Sequence, residues 1–190
     1  NLAVTPVEQD FMHAGPTAAL PAGRRVGFFP GSTIGNLAPW EAMAFLASAK
    51  TLLGPGAAFV VGIDLVKDEP TLLAAYDDRL GVTARFNKNL LWRINRELGG
   101  DFDAAAFDHL ALWNADASRI EMHLVSHTDQ TVEVGGRRFD FVAGERLHTE
   151  NSYKFTVEGF EFLARQAGWK MTRRWVSPAP AFAVVMLEAA

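Results

Sequence analysis

The chain has 190 residues, a formal net charge of −4 and no cysteine. This length is enough for one good core, or for one domain with a smaller lobe. The charge gives no basic surface for nucleic acid, the lack of thiols excludes disulfides and thiol catalysis, and no apolar run reaches membrane-spanning length. We therefore expect a folded, cytoplasmic protein that binds a small molecule and has no nucleic-acid or membrane partner.

The first part of the chain predicts a βαβ unit. Residues 1–23 are rich in Pro and Gly and predict a connector, followed by an apolar strand at 25–29. A helix with Pro39 at its first position ends at the glycines of 54–56, and a second strand runs over 58–63. Apolar residues follow one another in both strands instead of alternating, which predicts strands covered on both faces, as in a parallel sheet.

The rest of the chain predicts helices, then an antiparallel meander, then a closing helix and two strands. Helical patterns are followed, from residue 119, by apolar residues at every second position. Gly135-Gly136 predicts a hairpin, and Thr156 predicts a helix cap. The predicted helices cover 69–80, 82–98, 103–113 and 156–167, and the predicted closing strands cover 169–176 and 182–188.

The strand at 25–29 receives only one parallel partner from the segment that directly follows it. Its other edge would be apolar and open, and such an edge favours pairing with another strand or aggregation. Because the sequence offers no obvious second neighbour, we expect this chain to be the later part of an α/β domain.

The loop after this strand is the most informative segment. It reads Phe28-Phe-Pro-Gly-Ser-Thr-Ile-Gly-Asn-Leu37 and lies where open α/β sheets bind small ligands. Its glycines allow a close backbone approach, and Ser32, Thr33 and Asn36 carry hydrogen-bonding groups. The alternative is an ordinary βα turn in which Asn36 or a neighbour caps the helix, and the loop alone favours that alternative.

Five segments, taken together, carry a more specific pattern: 28–37, 64–68, 75–87, 119–122 and 144–154. Their order and spacing resemble the histidine-specific Nα-methyltransferases of ergothioneine biosynthesis, which use S-adenosylmethionine. The resemblance covers essentially the whole chain. It implies an α/β fold in which an α+β substrate-recognition lobe is inserted into part of a Rossmann-like methyltransferase sheet. The implied boundaries are 1–64 for the later part of the α/β domain, 65–153 for the inserted lobe, and 154–190 for the closing helix and strands.

The sequence departs from this family in its cofactor half. The family's glycine-rich loop and ribose-binding acidic residue have no counterpart, since no G-x-G-x-x-G lies between a strand and a helix. Asp10 and Phe11 resemble the family's adenine-binding segment, in which a carboxylate accepts a hydrogen bond from the exocyclic amine. The resemblance therefore implies the substrate half of a site with only the rim of the cofactor half, and residues 1–190 alone are expected to be inactive.

The resemblance assigns the amino acid backbone of the substrate to two positions. It implies that Asn36 holds this backbone, with Gly31 and Thr33 beside it, and that Tyr76 donates to the carboxylate. Asn36 and Tyr76 would then be the residues nearest the reaction, in which the amine attacks the sulfonium methyl and a proton leaves to solvent or Tyr76. Without the resemblance, we would expect the ring of Tyr76 simply to pack against the protein, with its hydroxyl in water.

The resemblance assigns the substrate ring to a later strand. Glu150 and Ser152 are two residues apart, which places both on one face of a strand. The resemblance implies that the Glu150 carboxylate and the Ser152 hydroxyl form hydrogen bonds with the two nitrogens of an imidazole, and that Met122 lies against the ring. The alternatives are a polar pair at a strand end and a core methionine.

The resemblance therefore implies an S-adenosylmethionine-dependent N-methyltransferase acting on the α-amino group of L-histidine. A methyltransferase of another aromatic or modified amino acid remains open, as does a non-catalytic amino-acid-binding module. A metal is not expected, because His123 and His127 lie on a predicted strand and His109 and His148 are distant in sequence. The central expectation is that Asn36 and Glu150 bind opposite ends of one amino acid.

Overall fold

The computed structural model describes residues 4–13, 23–179 and 181–189. The predicted connector at 1–23 lies partly outside these ranges. The described strands are β1 (Val26–Phe29), β2 (Ala58–Asp64), β3 (Phe107–Asn114), β4 (Arg119–Ser126), β5 (Gln130–Val134), β6 (Arg137–Phe141), β7 (Arg146–Tyr153), β8 (Trp169–Val176) and β9 (Phe182–Ala189). The described α-helices are α1 (Pro39–Leu53), α2 (Glu69–Tyr76), α3 (Val82–Leu98) and α4 (Val157–Gln166), and single 3₁₀ turns cover Phe11–His13, Thr33–Asn36 and Ala104–Ala106.

The chain divides into two compact units. Unit 1 contains residues 1–65 and 155–190, and unit 2 contains residues 66–154, so that unit 2 is inserted in sequence between the two segments of unit 1. Among the described residues, no helix is long and apolar enough to cross a lipid bilayer.

Unit 1 is a mixed four-stranded sheet with helices packed on it. The strand order is β1-β2-β9-β8, in which β1 is parallel to β2 and β9 is antiparallel to both of its neighbours. This arrangement confirms the predicted α/β class and is consistent with a Rossmann-like sheet. It also confirms the predicted strand–helix–strand order from β1 to β2.

The core of unit 1 forms where α1 and α4 meet the inward side chains of β2 and β9. Trp169 is its largest fully buried side chain, and its indole Nε1 donates to the carbonyl of Leu46 over 2.8 Å. An indole N–H buried without an acceptor carries a desolvation cost, and Leu46 supplies the acceptor from within α1. The other buried members of this core are Ile34, Ala42, Phe45, Phe59, Val61, Ile63, Leu65, Val157, Phe160, Ala164, Ala167, Ala183, Val185 and Leu187.

The prediction that β1 is covered on both faces is wrong among the described residues. Val26 and Phe28 are 64% and 70% exposed, whereas Phe29 packs against the core. Gly27 lies so close to α1 and β2 that a Cβ there would come within 2.6 Å of Phe59. In β1, therefore, consecutive apolar residues occur in a strand that is covered on only one face. The same prediction is confirmed for β2, whose side chains are mostly buried on both faces.

Unit 2 is an α+β unit. Its three-stranded antiparallel sheet has the order β3-β4-β7, and β5 pairs with β6 as a separate hairpin. The hairpin turn is Gly135-Gly136, with both glycines at positive φ, as predicted. Helices α2 and α3 pack on β3 and β4. Two apolar clusters result, one around Leu91, Phe107 and Leu124, and one around Leu72, Ile120 and Met122.

The predicted helix at 103–113 is wrong. Only Ala104–Ala106 forms a helical turn, capped by the carboxylate of Asp103, and the chain then enters β3. The alanine-rich start fits a helix, but β3 pairs with β4 over its full length from Phe107 to Asn114. Long-range strand pairing outweighs local helix propensity, which is a weak preference. Helix α2 is also shorter than the predicted 69–80.

We predict that Trp169→Phe lowers the free energy of unfolding by about 1–3 kcal/mol. The substitution removes the indole hydrogen bond to the Leu46 carbonyl and part of a buried ring. Trp40→Phe is the matched control, because Trp40 is 68% exposed and its replacement is expected to change stability by less than about 0.5 kcal/mol. Urea denaturation measures both variants, and equal midpoints would contradict the assigned role of Trp169.

Candidate functional site

The loop after β1 is held in an unusual backbone conformation. Gly31 and Ser32 have φ values of 70° and 56°, and positive φ is uncommon for a residue with a side chain. The Ser32 hydroxyl accepts a 2.8 Å hydrogen bond from the backbone N–H of Asp64 at the end of β2. A Cβ on Gly62 would lie 3.2 Å from the nitrogen of Gly31. The loop is thus fixed tightly against the end of β2.

Asn36 ends the 3₁₀ turn of this loop and is exposed. It does not cap α1, because the N-cap residue is Ala38 and the Glu41 carboxylate accepts from the Ala38 N–H over 2.7 Å. The alternative role predicted for the Asn36 amide is therefore taken by other groups. Of the residues predicted beside it, Gly31 is exposed, and exposed Thr33 donates its hydroxyl to the carbonyl of Pro30.

The structure of unit 2 brings Tyr76 and Ser152 together. Their hydroxyl oxygens lie 2.8 Å apart, and the Lys154 ammonium donates to each hydroxyl over 2.8 Å. Ser152 and Lys154 are 6% and 4% exposed, while Tyr76 is half-buried. The ring of Tyr76 also packs on the cluster around Leu72 and Met122. Tyr76 thus combines the packing role with a hydroxyl that is hydrogen-bonded rather than simply solvated.

His109 holds Tyr76 from the backbone side. The Asn87 amide donates to the carbonyl of His123 and to Nδ1 of His109, over 3.1 and 3.0 Å. Since Nδ1 accepts, Nε2 of His109 carries the hydrogen and donates to the Tyr76 carbonyl over 2.7 Å. His109 therefore links α3 to the last residue of α2. Both contacts of the Asn87 amide are to groups of the protein itself.

Glu150 lies on β7 opposite Met122 of β4. The predicted strand is confirmed, although a bulge inserts Thr149, whose hydroxyl donates to the Met122 carbonyl over 2.9 Å. Met122 is 3% exposed, so its predicted place in the core is confirmed. Glu150 is half-buried and borders a cavity of about 200 Å³. The other lining residues are Phe86, Asn87, Asn89, Leu90, Arg93 and Thr149.

A charged cluster on β4 lies beside these residues. The Asn114 amide and the Arg119 guanidinium donate to one oxygen of Glu121 and lower the pKa of that carboxyl to about 2. Burial lowers the pKa of His123, whose Nε2 lies 3.3 Å from the other oxygen. The ring of His123 stacks on that of His148 with centroids 4.6 Å apart.

The same cluster bears on the prediction that no metal is bound. Glu121, His123 and His148 each offer a ligand atom, and these atoms lie within 4.8 Å of one another. Sequence distance had set His148 apart, yet β4 and β7 bring it beside His123. One Glu121 oxygen is already occupied by Arg119, whose positive charge opposes a cation there. The absence of a metal stays a prediction.

The two residues predicted to bind adenine lie in unit 1. The Asp10 carboxylate accepts from the Met12 N–H over 2.9 Å, and the Phe11 ring packs against Phe29 and Phe45. Both Asp10 and Phe11 are exposed. An accessible carboxylate beside an accessible aromatic ring has the chemistry that an adenine requires, namely an acceptor for its amine and a surface for stacking.

Two residues of this site were not predicted. Lys154 follows Glu150 and Ser152 at the same spacing of two, so strand periodicity could have placed all three on one face. His109 gave no such signal, because its segment was interpreted as a helix. His109 lies on β3, and its contacts are to Asn87 of α3 and Tyr76 of α2.

The family model and the curated relatives agree with one another. The family model described as "Histidine-specific methyltransferase, SAM-dependent" matches residues 1–189. Proteins named histidine N-alpha-methyltransferase from Mycolicibacterium smegmatis and Mycobacterium tuberculosis are 48% and 46% identical over 84% of this chain and 50% of their own length. The chain spans about half the length of these curated relatives. The CcbJ methyltransferase structure from Streptomyces caelestis has a TM-score of 0.48 at 16% identity, covering 96% of this chain and 62% of that one.

We predict that stability falls with acid in part through Glu121. Its pKa of about 2 lies below the ordinary value of 4.5, so its bonds to Asn114 and Arg119 stabilise the fold above the unfolded-state pKa and are lost as pH falls from about 5 towards 2. Urea denaturation between these limits is expected to show a shallower pH dependence for Glu121→Gln. Glu161→Gln, the same change at an exposed position on α4, is the control. Parallel curves for Glu121→Gln and the unsubstituted protein would contradict the prediction.

Proposed function

Because the chain belongs to the histidine-specific, S-adenosylmethionine-dependent methyltransferase family, we propose that the protein of which it is part methylates the α-amino nitrogen of L-histidine. The observation that carries this proposal is the match of the family model to residues 1–189. Two relatives named histidine N-alpha-methyltransferase, at 48% and 46% identity, support it. S-adenosylmethionine is the methyl donor. The activity is proposed for the whole protein, since the chain spans about half of those relatives.

The reaction needs positioning more than acid–base chemistry. The neutral amine attacks the methyl carbon in line with the carbon–sulfur bond, and that bond breaks to leave S-adenosylhomocysteine. The α-amino group at a peptide terminus has a pKa of about 8, and the neighbouring carboxylate of a free amino acid raises this pKa further. Only a minor fraction of the substrate amine is therefore neutral at neutral pH, and this fraction is the one that reacts. Holding the two reactants in an aligned near-attack geometry can supply most of the rate enhancement.

The described residues have the chemistry to hold histidine. In unit 2, the Tyr76 hydroxyl is proposed to donate to the carboxylate, and Glu150 and Ser152 to bind the ring nitrogens beside Met122. In unit 1, Asn36 is proposed to hold the amino acid backbone, with Gly31 and Thr33 in the same loop. The exposed Asn36 amide, which α1 does not use as a cap, supports this role.

The cofactor is proposed to be held in part by Asp10 and Phe11, through the adenine amine and ring. When bound, it supplies an electrophilic methyl group. The methyl group is activated by the sulfonium charge itself, so we propose transfer without a metal. We also propose a cytoplasmic location and no nucleic-acid partner, on the basis of the cysteine-free composition and the net charge of −4.

Calorimetry and a methyl-transfer assay on the full-length protein test this function. We expect L-histidine to bind in the presence of S-adenosylhomocysteine, L-tryptophan to bind much more weakly, and mass spectrometry to detect Nα-methylated histidine. Glu150→Ala removes a charged acceptor for the ring and is expected to weaken histidine binding about 10-fold or more.

Glu161→Ala is the matched control, since it deletes the same side chain from an exposed position on α4. Unchanged histidine affinity in Glu150→Ala would refute the assignment of the ring to Glu150. Absence of histidine binding and methylation in the unsubstituted protein would refute the function itself.

A further inference from the structure

Lys154 is a buried cation placed against two residues that the proposed function assigns to the substrate. Its ammonium donates to the Tyr76 and Ser152 hydroxyls, and all three donor–acceptor distances in this triangle are 2.8 Å. The ammonium also lies 4.6 Å from the centroid of the Tyr76 ring, within the range of a cation–π contact. Lys154 therefore contacts Tyr76 through both its hydroxyl and its ring.

The backbone of Lys154 is fixed as well as its side chain. Its N–H donates to the Ser118 carbonyl over 2.8 Å, and the Ser118 hydroxyl donates to the Lys154 carbonyl. Lys154 itself is 4% exposed. A long side chain held at both ends loses little further freedom when a ligand binds, so its charge is preorganised.

The hydrogens of this triangle can be counted. An ammonium only donates, so both hydroxyl oxygens accept from Lys154. The bond between the two hydroxyls uses one of their two hydrogens, and one hydroxyl hydrogen remains. With the proposed ligand, two arrangements are possible. Ser152 could donate to a ring nitrogen while Tyr76 donates to Ser152, or Ser152 could accept from a ring N–H and donate to Tyr76. Only the second leaves the Tyr76 hydrogen for the carboxylate, to which the proposed function assigns it. The favoured arrangement therefore has Ser152 donating to Tyr76, and Tyr76 directing its own hydrogen to a ligand.

A Tyr76 donor with an ammonium behind it favours an anionic acceptor. Hydrogen bonds in a chain polarise one another, and a bond that involves an ionised group is about twice as strong as a neutral one. Within an amino acid, the anionic acceptor is the α-carboxylate. A ligand that carries a neutral hydroxyl or only a hydrogen in place of the carboxylate would be bound little more tightly because of the charge of Lys154.

We propose that Lys154 is a positioning residue that makes the site select for a free α-carboxylate, acting through the hydroxyl of Tyr76. The inference rests on the proposed function and adds a specificity determinant to it. Its consequence is discrimination between L-histidine and histamine, which share the ring and the amine but differ in the carboxylate.

Calorimetry of the full-length protein with S-adenosylhomocysteine tests this inference. Unsubstituted protein is expected to bind L-histidine more tightly than histamine. Lys154→Met keeps a side chain of similar length without the charge, and is expected to weaken histidine binding about 10-fold or more while changing histamine binding less than about 3-fold. A purely structural role would weaken both ligands alike.

Two further variants sharpen the test. Tyr76→Phe is expected to lose the preference for L-histidine over histamine as well. In the Tyr76→Phe background, Lys154→Met is expected to cause little further loss of histidine affinity, because the charge acts through that hydroxyl. Lys170→Met removes a lysine from an exposed position on β8 and is the control. Equal losses for both ligands, or additive losses in the double variant, would overturn the proposal. If unsubstituted protein bound neither ligand, the proposed function would fail instead.

A measurement on the unsubstituted protein avoids any loss of folding in the variants. With ¹⁵N-labelled lysine, the Nζ resonance of Lys154 is expected to shift when L-histidine is added and to stay in place with histamine. The same response to both ligands, or to neither while histidine binds, would overturn the proposal.

Discussion

The position of the Tyr76 hydroxyl in unit 2 depends on one buried ammonium. Lys154 joins the last residue of α2 to β7 by donating to Tyr76 and Ser152, which are 76 residues apart in sequence. A buried charge is costly without hydrogen-bonding partners, so these hydroxyls are fixed where the ammonium can reach them. His109 adds a second constraint by binding the Tyr76 carbonyl. Together they place the Tyr76 hydroxyl by contacts from both sides, as a preorganised ligand group requires.

The elements predicted best were those with a local stereochemical cause. Helix α3 begins after Gly81 and ends before Gly99, both at positive φ, and its bounds agree with the prediction. Thr156 caps α4 through its side chain, as predicted. The failures have long-range causes. Pairing of β3 with β4 overrides the helical pattern at 103–113, and the exposure of Phe28 depends on which side of the sheet is covered.

The sequence identified residues of the candidate site but not the hydrogen bonds between them. Resemblance named Tyr76, Glu150 and Ser152, and strand periodicity placed the last two on one face. Neither source predicted the hydrogen bond between Tyr76 and Ser152 or the part played by Lys154, because those depend on how α2 docks on the sheet. The roles of these residues towards a substrate stay predictions, and so do those of Asn36, Gly31, Thr33, Asp10 and Phe11.

We propose that Tyr76 and Glu150 of unit 2 bind the two ends of one amino acid. A crystal structure of the full-length protein with L-histidine and S-adenosylhomocysteine would show both contacts. We expect a histidine carboxylate oxygen within about 3.2 Å of the Tyr76 hydroxyl and a ring nitrogen within the same distance of the Glu150 carboxylate. Histidine bound without contact to either Tyr76 or Glu150, and with the Lys154 triangle unchanged, would contradict it.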